Sequence, residues 1–177
     1  ALIQAASSYF RIGALADARR LSERLLLDAT ERGDPVAEKN VCCALAYSSL
    51  AADDLAEAQW YLSRCRTPDR CISVMMRGEA TTAVAQYRQR PGDGIEAWHS
   101  RWDVLTEMGV WFVGGLRVLT ARSLVPTLLA RAESSRDLDE AARRTRWIKR
   151  YRFPYATATW ASLRALRATR DGRIDDA

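Results

Sequence analysis

Lysine and histidine are nearly missing from this chain: Lys39 and Lys149 stand against 25 arginines, and His99 is the sole histidine. A lone histidine with no partnered nucleophile supplies neither a Ser/His/Asp nor a Cys/His arrangement, so the chain is not expected to be an enzyme. Phosphate-cradling loops of the G-x-x-x-x-G-K-S/T or G-x-G-x-x-G type are also missing. The pair Gly114-Gly115 sits in an apolar stretch without the lysine and serine such a loop needs, so no nucleotide or other cofactor is expected. Long apolar runs are lacking too. A membrane helix needs roughly 18 such residues in a row, and the longest patch, Val110 to Leu119, is broken by Gly114, Gly115 and Arg117. The lack of such runs predicts a soluble chain without a membrane partner, and the cysteines, read as reduced thiols, suit the cytoplasm.

The four cysteines, Cys42, Cys43, Cys65 and Cys71, have no C-x-x-C spacing. Cys42 and Cys43 are neighbours in an apolar helical run and point to different sides of it. Free thiols that pack as small apolar groups are expected, with no metal bound. The chain begins at Ala1 without a signal-peptide pattern and ends at Asp175-Asp176-Ala177 in what reads as mid-helix sequence. Both ends are read as cuts in a longer polypeptide. The net charge of +5 rests almost wholly on arginine, which reads as a base-composition bias and says little about partners.

What the chain does contain is a recurring phrase, in which an acid is followed by alanine: Leu15-Ala16-Asp17-Ala18, Leu55-Ala56-Glu57-Ala58, Gly94-Ile95-Glu96-Ala97, Leu138-Asp139-Glu140-Ala141 and Ile174-Asp175-Asp176-Ala177. The alanines recur about every 40 residues. Each phrase follows a turn or polar lead and places an acid in a first helical turn, where the helix dipole favours it. The alanine suits a place where two helices approach closely. Behind the first two phrases, Leu21, Leu25 and Leu26, and then Trp60, Tyr61 and Leu62, keep apolar groups to one side of a helix. Ahead of the phrases lie further helical stretches such as Val36 to Leu50 and Tyr155 to Thr169. The repeating unit is thus a pair of helices, and a lone pair cannot bury its apolar face, so stacking is expected.

This pattern resembles the tetratricopeptide repeat, in which a large residue, a leucine, a small residue and a tyrosine of the first helix pack on an alanine of the second. With Ala18 as that alanine the first-helix positions are Leu2, Ala5, Ala6 and Tyr9; with Ala58 they are Cys42, Leu45, Ala46 and Ser49. Later copies depart from the pattern: Thr81, Val84, Ala85 and Arg88, then Val125, Leu128, Leu129 and Ala132, and a last copy in which Trp160 and Leu163 fit better.

The resemblance implies an all-α fold, a right-handed superhelical stack of antiparallel helix pairs. One repeat domain would cover residues 1–177, with about four pairs and partial copies at the ends. It is similar to the divergent repeats of large bacterial signalling and regulatory proteins, where such segments accompany ATPase, cyclase, kinase or transcriptional output modules. A scaffold or regulatory role follows, with a protein partner, other domains of the same chain or a small effector bound in the concave face. In this register Ser7, Asn40, Tyr47, Glu79 and Gln86 would line that face. The clamp that some members use to grip a chaperone carboxylate needs lysine and asparagine where this chain has Ile3 and Ser7.

Two local features complete the reading. From Gly109 to Leu138 the chain takes 29 residues where Gly33 to Leu55 takes 22, so an irregular repeat is expected around 109–137. A longer helix would absorb the excess, with Pro126 at a kink or at the first turn of a restarted helix. The second feature is a basic run, Arg143, Arg144, Arg146, Lys149, Arg150 and Arg152, interleaved with Trp147, Tyr151 and Phe153. Such a run can bind a nucleic-acid backbone and stack on bases, which is the alternative function. It can equally be the solvated face of a helix held down by Ala141, Thr145, Ile148 and Trp147.

Overall fold

The computed structural model describes residues 13–65, 73–109, 113–131 and 135–172. Among these residues the chain is all-helical, without a strand. The helices are α1 (Leu15–Glu31), α2 (Pro35–Ala51), α3 (Leu55–Arg64), α4 (Ser73–Tyr87), α5 (Pro91–His99), α6 (Trp102–Glu107), α7 (Gly114–Arg131), α8 (Ser135–Ile148) and α9 (Pro154–Arg170). None of them is long and apolar enough to cross a membrane.

Local chemistry sets the boundaries. Asp34 accepts hydrogen bonds from the amides of Val36 and Ala37, and Pro35 occupies the first turn of α2, where its missing N–H is no loss. Asp54 caps α3 in the same way through the Glu57 amide at 2.8 Å. Between α1 and α2 the chain reverses at Gly33, whose φ of +63° is open to glycine at little cost. The first two repeated phrases open α1 and α3 at their leucines. The third lies one turn inside α5, which begins at Pro91, and the fourth lies three residues inside α8. The fifth phrase lies outside the described residues, as do Leu2, Ala5, Ala6, Ser7, Tyr9 and Cys71.

The chain forms two compact units, residues 1–88 and residues 89–177. In the first, α1 packs on α2, α2 on both α3 and α4, and α3 on α4. In the second, α5 packs on α7, α7 on both α8 and α9, and α8 on α9. The two patterns correspond, with α5, α7, α8 and α9 in the places of α1, α2, α3 and α4, while α6 has no counterpart among the described helices of the first unit. The four described phrase alanines, Ala18, Ala58, Ala97 and Ala141, are all buried. Cys42, Leu45, Ala46, Val84, Ala85, Val125, Leu128, Leu129 and Leu163 are buried at the packing positions assigned to them, and so is the polar Ser49.

The first unit's core gathers Leu25, Val41, Leu45, Ala58, Tyr61 and Val84 around the thiols of Cys42, Cys43 and Cys65. All three thiols are free and fully buried, and Cys43 Sγ lies 3.8 Å from Cys65 Sγ. A hydrogen bond with Cys65, followed by burial, pushes the Cys42 and Cys43 thiols well above their ordinary range. A polar tie crosses the edge of this core: Arg19 donates to Glu57 at 2.6 Å, and the Ser49 hydroxyl reaches the other carboxylate oxygen at 2.7 Å. The phrase acid of α3 is therefore held by α1 and α2 as well as by its own helix dipole.

The irregular repeat differs from the expected form. Helix α7 has 18 residues against 17 in α2, so a longer helix does not absorb the excess, and three of the extra residues, 135–137, form the first turn of α8 ahead of the phrase. Nor does Pro126 restart a helix: α7 runs through it from Gly114 to Arg131. Between α5 and α7 the chain adds the six-residue α6, set off from α5 by Ser100 and Arg101, which the phrase pattern does not signal.

Candidate functional site: an arginine and aromatic cleft in the second unit

Helix α8 presents the basic run on two sides. At helical spacing, Glu140, Arg143, Arg144, Trp147 and Ile148 form one stripe, which Tyr151 extends just past the helix end. This stripe lines a cleft of about 440 Å³, closed by Trp102 and Thr106 of α6 and by Arg117 and Ala121 of α7. Arg146, Lys149, Arg150 and Arg152 are exposed and take no part in the lining. Ala141, Thr145 and Ile148 are buried as the packing stripe, whereas Trp147 keeps 37% of its surface exposed.

Each guanidinium of the cleft is placed differently. The Arg117 carbon Cζ sits 3.4 Å from the centre of the Trp147 ring, close enough for cation–π attraction. Arg117 Nη1 donates to the Tyr151 hydroxyl at 3.3 Å, while its Nε is buried and has no hydrogen-bond partner among the described residues. Arg144 lies 4.3 Å from the Trp102 ring centre and donates to Glu140 Oε1 from Nε at 3.0 Å and from Nη2 at 2.6 Å. Burial lowers the Arg144 pKa from its ordinary value, an effect opposed by the Glu140 hydrogen bonds. Arg143 lines the cleft and is exposed, with no ion pair to a described acid.

The aromatic rings are locked in turn. Tyr151 stands edge-on to Trp147, with 6.3 Å between ring centres, and Phe153 lies 6.1 Å beyond it. The start of α7 leaves room for Tyr151 only because residue 114 is glycine. A Cβ there would meet Tyr151 Cε1 at 2.6 Å, nearer than real side chains approach. The arrangement offers flat aromatic walls, positive charge held in place, and the single carboxylate of Glu140, which is already engaged with Arg144.

The residues proposed from repeat register fall elsewhere. Asn40 and Tyr47 lie two turns apart on α2, and Glu79 and Gln86 lie two turns apart on α4, in the first unit. Asn40 is 7% exposed, with its Oδ1 buried and without a hydrogen-bond partner among the described residues, so it offers little surface to a ligand. Tyr47 is half-buried against the core, Glu79 is half-buried, and Gln86 is exposed. His99 is exposed in the last turn of α5. Sequence reasoning missed Trp102, Arg117 and Glu140 as neighbours of the basic run. For Glu140 the signal was the i, i+3, i+4 spacing to Arg143 and Arg144; for the other two the signal exists only in the packing of α6 and α7.

Compared with family models, with curated proteins and with solved structures, the chain has no match.

Proposed function

We propose that the chain is a non-catalytic, effector-sensing segment of a larger regulatory protein, built as a tetratricopeptide-like stack of helix pairs. On this reading its ligand seat is the cleft between α6, α7 and α8. The observation that carries this reading is the cleft itself: about 440 Å³, within the usual range for small-molecule sites, walled by Trp102, Trp147 and Tyr151. Its charged groups sit on rigid helices, which suits recognition at low ordering cost. The recurrent packing of the two units and the burial of the four phrase alanines support the repeat architecture.

The test is a thermal-shift panel of small anionic, neutral and cationic metabolites on the chain and on a blocked variant, Thr106→Trp. Thr106 lines the cleft and is exposed, so the larger ring fills the seat without disturbing a core. A compound that raises the melting temperature of the parent chain and not of the variant supports the reading. A panel in which every shift is shared by both proteins refutes it.

A second reading rests on a separate observation. Arg146, Lys149, Arg150 and Arg152 are exposed outside the cleft, and none forms an ion pair with a described acid. This surface suits a nucleic-acid backbone. Retention of DNA or RNA at about 50 mM salt, with steep release by about 200 mM, would favour it through counterion release. Loss of that binding in an Arg146→Glu, Arg150→Glu variant would locate it.

A further inference from the structure

From the charges and rings that line this cleft we infer that its ligand is a small organic dianion, a flat apolar body carrying a phosphate or a pair of carboxylates. The inference rests on the cleft being a ligand seat and goes further by naming what it takes.

Three guanidiniums, those of Arg117, Arg143 and Arg144, line the cleft against the one carboxylate of Glu140. Glu140 is engaged by Arg144 through two donors, which leaves the charge of Arg117 and of Arg143 without a carboxylate among the described residues. Two unmatched positive charges call for a ligand carrying two negative ones. Arg117 is already positioned: its guanidinium carbon lies 3.4 Å from the Trp147 ring centre and Nη1 donates to the Tyr151 hydroxyl, while the residue lines the cleft. A guanidinium held in this way matches the paired oxygens of a phosphate or carboxylate, with less to order on binding than a free side chain.

The remaining wall decides the rest of the ligand. Trp102, Trp147, Ile148 and Ala121 are apolar or aromatic, and the lining as a whole is mostly apolar. A free inorganic ion would leave that wall in water. A polynucleotide is disfavoured as occupant because the exposed cations of the helix, Arg146 and Arg150, do not line the cleft.

The experiment is isothermal titration of the full 177-residue chain with four probes: 1-naphthyl phosphate, naphthalene-2,3-dicarboxylate, neutral 1-naphthol and inorganic phosphate. At least one dianionic naphthalene is expected to bind about tenfold or more tightly than 1-naphthol or phosphate, as charge-assisted hydrogen bonds imply. Comparison of the two dianions tells a phosphate ligand from a dicarboxylate. Arg143→Gln, at an exposed position that does not threaten folding, is expected to lower that affinity about tenfold, and Arg117→Gln by as much or more. Arg146→Gln with Arg150→Gln is expected to leave it within about twofold, since exposed charges outside the contact contribute little.

If 1-naphthol binds as tightly as the dianions and Thr106→Trp abolishes both, the charge assignment is overturned while the cleft remains a ligand seat. If Arg146→Gln with Arg150→Gln weakens binding as much as Arg143→Gln, the attraction is diffuse and the inference fails. If no naphthalene probe binds, the inference fails as well, and the panel on the blocked variant alone judges the cleft.

Discussion

Arg117 lies over the ring of Trp147, thirty residues further along the chain, with 3.4 Å between the guanidinium carbon and the ring centre. The contact joins α7 to α8 at the floor of the cleft, so its strength is a measure of how firmly the site is preformed. A double-mutant cycle with Arg117→Met and Trp147→Leu, read by urea denaturation, is expected to give a coupling of about 1 kcal/mol, between the exposed and desolvated extremes for such pairs. A coupling near zero would mean that the two groups merely lie near one another.

Gly114→Ala should damage the site from outside it. A methyl at this position overlaps the Tyr151 ring, which must swing away and give up the hydrogen bond from Arg117. The expected cost is about 1–3 kcal/mol, as for overpacking elsewhere. Gly115→Ala, where nothing lies within 4 Å, is the control and should be neutral or slightly stabilising. Equal behaviour of the two variants would contradict the packing of Tyr151 on α7.

How much of this was legible beforehand differs from helix to helix. The starts of α1 and α3 could be read because a polar lead and a first-turn acid sit directly beside the phrase. That of α5 moved upstream because Pro91 is itself a favoured first-turn residue, and the chain enters the helix there. The phrase alanine Ala97 is buried even so, because close packing constrains which face points inward more tightly than where the helix begins. The cleft was half legible. Basic residues alternating with aromatics marked α8, but which of them share a face with Trp102 and Arg117 depends on contacts between helices far apart in the chain. Register likewise placed Asn40 toward a partner, while the structure buries it beside Lys39 and Val41.

Acid should loosen the first unit through Glu57. Hydrogen bonds from Arg19 and then from Ser49 hold its carboxyl below the usual value of 4.5, so the folded state prefers the ionised form. The stabilisation is therefore complete above that value and is lost as the pH falls through the lower, folded-state pKa. Glu57→Gln is expected to be less stable than the parent at neutral pH, and the difference should shrink as the pH drops from about 5 to about 3. Thermal melts across that range check it; a gap that widens in acid would reverse the assignment.

The cap on α2 gives a simpler measurement. Asp34→Ala removes the acceptor for the Val36 and Ala37 amides at an exposed position, and is expected to cost about 1 kcal/mol in denaturant unfolding. Asp34→Asn or Asp34→Ser should recover most of that loss. A variant as stable as the parent would show that water satisfies those amides equally well.

The sealed thiols of the first unit supply a clock. Cys42, Cys43 and Cys65 have no exposed surface, so an alkylating reagent can reach them only when the packing of the helices around them opens. In a Cys71→Ser variant, the rate of that modification in native buffer reports how often this half of the molecule opens. The same rate, followed while a compound fills the cleft of the other half, tells whether the two halves breathe together or each alone.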